Sequence, residues 1–197
     1  MIIMKQLISL CIILLQMPIW AQQWVLRENQ QGIKVWTRNE NGKIEVKAQT
    51  FVNASVRDVL SLIEKPSTYH LWVDMVSKAK LLSYGNEKFT VWYLIDMPLL
   101  FSDRDFVLDN ILAHNGDTII VKLKSAPDRY PKQKNIVRVQ DAYGKWILFP
   151  YGKRTFVSYQ FYADMQLPVS NSLIEILSVS APFNTFQNLK TMLNHKK

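Results

Sequence analysis

The side chains best suited to chemistry in this sequence are few and far apart. The three histidines, His70, His114 and His195, share no spacing that metal ligands adopt. Asp103 and Asp105 are two positions apart with Arg104 between them, and they make a poor acid–base pair. No nucleophile elbow, phosphate loop or dinucleotide fingerprint is present in the sequence. We therefore expect no enzymatic activity, no metal and no cofactor.

Arg104 is the one charged residue that the pattern places on an apolar face. In the strand that begins in the string 101–107, alternation puts Arg104 on one face with Phe106 and Leu108, and it puts Asp105 and Asp109 on the opposite face. A buried guanidinium needs a carboxylate, a phosphate or dense hydrogen bonding. Two interpretations follow. Arg104 forms a structural ion pair with Asp103 or another acid, or it is a polar anchor for a ligand head group in an apolar pocket.

The elements around Arg104 are mostly strands with turns between them. Polar and apolar residues alternate in 44–49 and 119–124, and Asn115-Gly116-Asp117 is typical of a hairpin turn. Tyr143-Gly144-Lys145 is read as another turn. The pattern predicts strands near 33–38, 44–52, 78–84, 87–97, 104–114, 117–125, 134–142, 145–149 and 154–165.

Helices are predicted in three places, so the fold class is α+β in one domain. A capping box at 55–58 starts the first helix, and a second, short helix covers 67–76. The segment 168–195 carries a long apolar stripe at helical spacing. Pro182 interrupts this stripe, which predicts a kink or a new helix capped by Ser180.

The first 21 residues differ from the rest of the chain. Lys5 is their only charge, 7–15 is apolar apart from one serine, and Ala21 ends the stretch. This pattern predicts a secretory signal peptide over 1–21, with an exported mature domain over 22–197 that is periplasmic or extracellular. An uncleaved anchor helix and lipidation at Cys11 are the alternatives.

Composition excludes several classes of protein. With 48% hydrophobic and 20% charged residues among 197, the chain is not wholly disordered. A single cysteine excludes a disulfide scaffold. The net charge of +8 raises the possibility of nucleic-acid binding, but the lysines are scattered among acidic residues and no basic helix is evident. We expect a monomer that binds no nucleic acid.

Five strings, in this order, resemble the START family of lipid-binding domains (StAR-related lipid transfer). They are 32–38, 69–73, 95–98, 101–107 and 124–127, and the most specific is Phe101-Ser102-Asp103-Arg104-Asp105-Phe106-Val107. The resemblance spans about residues 24–194. It implies a helix-grip fold, in which a curved antiparallel sheet wraps around a long C-terminal helix and encloses an apolar tunnel for a lipid or sterol.

The resemblance also implies functional positions and leaves alternatives. Arg104 matches the residue expected to face a lipid phosphate, whereas Val91 and Asn110 replace the charged pair of sterol-binding members, which argues against a steroid. The apolar loop at the tunnel mouth implies transient membrane contact. A cyclase- or hydrolase-like enzyme using the cavity as its active site, or a protein-interaction module, are the alternatives. The expected lid is Pro98, Leu99, Leu100 and Phe101, and the expected wall is Tyr69, Trp72, Trp92, Tyr93, Leu108, Tyr159 and Phe183.

Overall fold

The computed structural model describes residues 23–97 and 101–194. The predicted signal peptide, His195 and three lid residues (Pro98, Leu99 and Leu100) lie outside the described residues. Within these ranges, no helix combines the length and the hydropathy that a membrane span requires.

The described chain forms one curved, open sheet, which confirms the α+β helix-grip architecture. The strands follow the order β1-β2-β3-β10-β9-β7-β6-β5-β4, and every pair along this path is antiparallel. A two-residue strand, β8, pairs in parallel with β6. The strands are β1 (Val25–Gln30), β2 (Ile33–Glu40), β3 (Lys43–Val52), β4 (Val76–Tyr84), β5 (Lys88–Ile95), β6 (Arg104–Asn115), β7 (Thr118–Ser125), β8 (Val137–Arg138), β9 (Ala142–Tyr151) and β10 (Arg154–Ala163).

Most predicted strands are present, with three corrections. The pattern missed β1, the edge strand, and it placed a turn at Gly144, which instead lies inside β9. A Cβ at Gly144 would come within 2.2 Å of the Gln160 carbonyl oxygen and 2.8 Å of the Phe161 ring. The glycine is therefore required for close packing between β9 and β10 and does not form a turn. Within the strand predicted over 134–142, most residues are not in a strand, and β8 covers Val137–Arg138.

Register irregularities occur in both edge strands of the sheet. In β1 the pairing with β2 shifts between Leu26 and Glu28. In β4 the pairing with β5 shifts between Val76 and Lys78, and again between Leu81 and Ser83. Such bulges twist a strand and interrupt its ladder of hydrogen bonds.

Three helices and two 3₁₀ turns complete the part of the fold that the structure describes. The helices are α1 (Val56–Ile63), α2 (Tyr69–Trp72) and α3 (Asn171–Asn194), and the 3₁₀ turns are Pro66–Thr68 and Pro127–Arg129. The capping box is confirmed, because the Asp58 amide donates to Ser55 Oγ at 3.2 Å and the Ser55 amide donates to Asp58 Oδ2 at 3.2 Å. The predicted new start at Ser180 is wrong, since α3 continues through Pro182.

Packing explains why α3 tolerates an internal proline. The helix lies against β2 and β3, and Phe186 and Leu189 in its second half are fully buried. A proline inside a helix costs about 3 kcal/mol through the lost hydrogen bond and steric conflict. Burying two or three large apolar side chains yields more than that, at about 1.5–3 kcal/mol each.

The outer face of the sheet carries a buried carboxylate, Glu45. It accepts hydrogen bonds from Tyr143 Oη at 2.9 Å, Gln160 Nε2 at 3.0 Å and Arg38 Nη2 at 2.7 Å. Burial alone would raise the pKa of Glu45, but these hydrogen bonds and the Arg38 charge outweigh burial and lower it. Burial and the hydrogen bond to Glu45 raise the pKa of Tyr143 to about 12.

A second outer-face cluster fixes the segment 126–139 over β5 and β6. Arg138 donates to both carboxylate oxygens of Asp105 at 2.7 Å, and Trp92 Nε1 donates to Asp105 Oδ2 at 2.8 Å. Arg138 also donates to the backbone carbonyls of Pro127, Tyr130 and Pro131. Both partners of the ion pair are almost fully buried, with side chains 2% and 1% exposed. The strand β5 and the first half of β6 are consequently covered on both faces.

Candidate ligand-binding site

A cavity of about 680 Å³ lies between the inner face of the sheet and the first half of α3. It is bounded by β3, the ends of β5 and β6, β9, β10 with the segment that follows it, and the loop after α2. Most of its wall is apolar and aromatic. The apolar lining includes Ile44, Val46, Val73, Met75, Tyr93, Ile95, Met97, Phe106, Trp146, Tyr159, Phe161, Met165, Leu167, Ile174, Ala181 and Pro182.

The hollow exists because α3 presents different residues along its length. Most of the side chains that the helix turns toward the cavity are small: Ser178, Ser180, Ala181, Pro182 and Thr185, with Ile174 the larger exception among the described lining. One to two turns later it offers Phe186 and Leu189, which fill the space against the sheet. The small residues leave volume that nothing else in the described chain occupies, so the interior is a filled core under one half of the helix and a chamber under the other.

Stacking holds the aromatic wall close to the sheet. The rings of Tyr93 and Phe106 lie parallel, with centroids 4.9 Å apart and 8° between their planes. Tyr159 stacks on Phe161 at 5.5 Å and contacts Trp146 at 4.3 Å. Rings that stack along a sheet cover it with apolar surface and restrict one another, so this wall is stiff.

Two tyrosine hydroxyls offer polar groups within the chamber. Tyr93 and Tyr159 are only half-buried although they lie deep in the fold, because their accessible surface faces the cavity. Neither hydroxyl is hydrogen-bonded to any described residue, whereas the hydroxyl of Tyr69 donates to the Ile63 carbonyl. Burial raises the pKa of both cavity tyrosines, which therefore remain neutral donors.

The rim of the cavity is polar and acidic. Asp74 follows α2, Asp96 follows β5 and Asp164 follows β10, and all three line the cavity together with Gln166 and Thr185. Asp96, Asp164 and Gln166 are exposed, Asp74 is half-buried and Thr185 is buried. Among the lining residues that the structure describes, none is a lysine, an arginine or a histidine.

Arg104 occupies a third arrangement that neither interpretation from the sequence anticipated. The side chain is buried, at 4% exposure, and its guanidinium donates to backbone carbonyls: Nε to Met165 at 3.1 Å, Nη2 to Gln166 at 3.3 Å, and Nη1 to Ser102. It makes no ion pair with any residue in 23–97 or 101–194, and it does not line the cavity. Burial lowers the pKa of Arg104, and the nearby Asp103 partly opposes this effect.

The role of Arg104 that follows from these contacts is to position the wall. Met165 and Gln166, whose carbonyls it binds, both line the cavity and belong to the link between β10 and α3. Gln166 has a φ of 49°, in the left-handed region that non-glycine residues seldom adopt. The guanidinium therefore stabilises a strained link that shapes the chamber.

The predicted wall residues divide into several groups. Tyr93 and Tyr159 line the cavity. Tyr69 and Trp72 are core residues that pack edge-on against each other at 5.5 Å, one layer behind the wall. Leu108 is also a core residue, in a cluster with Phe106.

Two further wall predictions are corrected. Trp92 lies on the outer face of β5, where it packs on Tyr130 with centroids 5.1 Å apart, because alternation places it opposite Tyr93. Phe183 lines a separate, shallower hollow of about 390 Å³ beside Arg27 and Glu175. Of the predicted lid, the structure describes Phe101 alone, and its side chain is half-buried.

Sequence reasoning missed the wall residues Phe106 and Trp146 and the acidic rim. Phe106 shares a strand face with Arg104, and Trp146 shares a face of β9 with Leu148. The alternation of apolar residues could therefore have indicated that both side chains point to the interior. The rim has no local signal because its three aspartates come from separate loops.

The arrangement is suited to enclosing an apolar molecule and excluding water. No group of three or more metal-ligating side chains occurs among the described residues. The lining residues that the structure describes include no cysteine or histidine.

Comparisons with known proteins agree with this architecture. No protein-family model matches the chain. It is 29% identical to an uncharacterized protein of Pseudomonas aeruginosa, over 87% of each chain. The crystal structure of a STAR-related lipid transfer protein from Xanthomonas axonopodis matches with a TM-score of 0.81 and 28% identity, over 87% of this chain and 98% of that one. Human StAR-related lipid transfer protein 5 matches with a TM-score of 0.77 and 14% identity, over 98% and 95%.

The chain therefore has the START fold, as the sequence motifs predicted. Structures that share this fold also include an aromatase/cyclase di-domain from the steffimycin biosynthetic pathway. The fold thus accommodates both lipid carriers and enzymes, and only the site can favour one of them.

Proposed function

We propose that this protein binds one lipid or other long apolar molecule in the cavity, without catalysis. The observation that carries the proposal is a chamber of about 680 Å³ with a mainly apolar wall. That volume lies within the range of about 300–1,000 Å³ typical of small-molecule sites. The structural match to a STAR-related lipid transfer protein supports the same function.

The energetics of such a chamber favour a long alkyl chain. Each methylene group removed from water contributes about 0.8 kcal/mol, so a 16-carbon chain gains about 13 kcal/mol on entering an apolar site. At about 30 Å³ per water molecule, a cavity of 680 Å³ corresponds to about 20 waters. An apolar wall gives these waters few hydrogen bonds, so a lipid displaces them at little cost.

Transfer between membranes is the activity that this binding supports. The uncatalysed escape of a lipid from a bilayer requires its chain to enter water, and an apolar chamber lowers that barrier. We propose that the apolar segment 98–101 makes transient contact with a membrane surface, that the leader over 1–21 directs export, and that the carrier acts as a monomer. Cations elsewhere on the surface would favour anionic membranes by about 1 kcal/mol each.

The test is to extract the purified protein with organic solvent and to identify the released molecules by mass spectrometry. We expect one apolar ligand in near-stoichiometric amount. Protein that is repeatedly empty after expression in several hosts, and that takes up no lipid from vesicles, would contradict the proposal. Transfer itself is measured as movement of a fluorescent lipid from donor to acceptor vesicles, which should accelerate in proportion to protein concentration.

A further inference from the structure

The charge at the cavity rim is opposite in sign to the charge of the whole protein. The chain carries a net charge of +8. Yet the charged residues among the described lining are the three aspartates Asp74, Asp96 and Asp164. A head group at this opening would meet these carboxylates, and the cation beside them, Lys43, lies over the Tyr162 ring with its Nζ 4.9 Å from the ring centroid.

Neutral groups are the hydrogen-bond donors to these carboxylates. Asp74 accepts from Asn184 Nδ2 at 3.1 Å. Asp96 Oδ1 accepts from the Ser77 hydroxyl at 2.5 Å, and Asp164 Oδ1 accepts from the Gln166 amide at 3.0 Å. None of the three forms a salt bridge with a described residue, although seven salt bridges form elsewhere. Lys43 interacts electrostatically with Asp164 but forms its salt bridge with Asp141. The three carboxylates therefore leave the rim with a net negative charge.

The arginine that could have offset this charge is not available to a ligand. Each guanidinium nitrogen of Arg104 donates to a backbone carbonyl, and the side chain lies behind Met165 and Gln166 and not in the chamber. An anionic head group would therefore leave water for an opening whose charged lining residues, among those that the structure describes, are three carboxylates, which is unfavourable.

We propose that the cavity selects amphiphiles with a cationic head group, such as an alkyl chain that ends in an amine or a quaternary ammonium, over anionic amphiphiles of equal chain length. This inference rests on the proposed function, because it assigns the polar end of the ligand that the apolar chamber holds. The chain lies against the aromatic wall, and the cation lies at the rim beside the aspartates. Neutral heads are tolerated, and phosphate- or carboxylate-ended ligands are disfavoured.

The test compares three probes that share a 12-carbon chain: dodecyltrimethylammonium, dodecanol and dodecyl sulfate. Binding to the full-length protein is followed below the critical micelle concentrations by the fluorescence of Trp146 and the other tryptophans. Since an exposed charge pair changes affinity by up to about fivefold, we expect the ammonium probe to bind about tenfold more tightly than the sulfate, with a ratio that shrinks in salt. The net charge of +8 favours the opposite order, so nonspecific attraction cannot produce this result.

Matched variants locate the effect. Asp96→Asn, at an exposed position, and Asp74→Asn should each lower the ammonium-to-sulfate ratio, whereas Asp117→Asn removes the same charge from the β6–β7 turn and should leave the ratio unchanged. Thermal unfolding of each variant verifies that it folds.

Several outcomes would overturn the inference. Sulfate binding as tight as ammonium binding would refute the charge preference while leaving the lipid-binding proposal intact. An ammonium-to-sulfate ratio that falls equally in Asp96→Asn and Asp117→Asn would show an effect of overall charge and would refute the assignment of the preference to the rim aspartates. Failure of all three probes to bind would refute the proposed function together with this inference.

Discussion

Narrowing the chamber should shorten the longest alkyl chain that the protein can hold. Ala163 lies at the end of β10 and lines the cavity. The change Ala163→Phe adds six ring carbons. If a carbon group occupies about the volume of a water molecule, about 30 Å³, the ring takes about 180 Å³. It would therefore remove about a quarter of the 680 Å³.

The size of the loss in binding free energy follows from the cost of leaving methylene groups of the ligand in water. In the parent protein the dissociation constant of n-alkyl ligands should fall about fourfold per added methylene, since each contributes about 0.8 kcal/mol, until the chain fills the cavity. In Ala163→Phe this trend should stop about six carbons earlier. For the longest ligands the loss approaches about 5 kcal/mol of binding free energy.

The assay is a series of n-alkyl ligands from short to long, titrated by tryptophan fluorescence. The control is Ala113→Phe, which places the same ring in β6 opposite Ile120 and away from the cavity lining, and which should leave the trend unchanged. If Ala163→Phe folds normally and binds every chain length as the parent does, the ligand does not occupy this chamber.

Three further predictions concern the groups that shape the fold. Arg104→Met leaves three backbone carbonyls without their hydrogen-bond donor, at a cost of about 1 kcal/mol or more each, so the free energy of unfolding in urea should fall by about 3 kcal/mol. A variant of parental stability would show that the link between β10 and α3 does not need the guanidinium. Arg138→Met leaves the buried Asp105 carboxylate without its cation and should lower the free energy of unfolding by about 3–5 kcal/mol in the same assay, with ligand affinity retained in the folded fraction. A loss of less than about 1 kcal/mol would be inconsistent with a buried ion pair. Burial raises the pKa of Glu45 but its hydrogen bonds lower it overall below 4.5, so its contribution to stability is present above that pH and is lost as pH falls through the folded-state pKa. Glu45→Gln should therefore flatten the acid side of the stability profile, and an unchanged profile would contradict this assignment.

Alternation along the sequence predicted much of the sheet because most strands bury one face. It correctly separated Arg104 from Asp105 and placed Tyr93 and Tyr159 toward the interior. It failed at Trp92, since β5 is buried on both faces and local pattern cannot tell which face holds the cavity. The cover on that outer face is the segment 126–139, held by a contact between residues 33 positions apart.

The site required tertiary structure for a different reason. The partners of Arg104 are backbone carbonyls, two of them more than 60 positions away, and every residue has a carbonyl, so no residue type marks them. The acidic rim likewise joins three loops whose aspartates are unremarkable individually. The sequence could indicate that a guanidinium is buried, but it could not reveal which atoms accept its hydrogen bonds.

The irregular edges of the sheet bear on how the protein behaves in a crowded compartment. An open sheet leaves amides and carbonyls at its two borders, where a neighbouring molecule could add a strand and begin a fibril. The interrupted ladders of β1 and β4 remove the regular template that such growth requires. A protein built this way can enclose an apolar chamber and still resist self-assembly through the borders of its sheet.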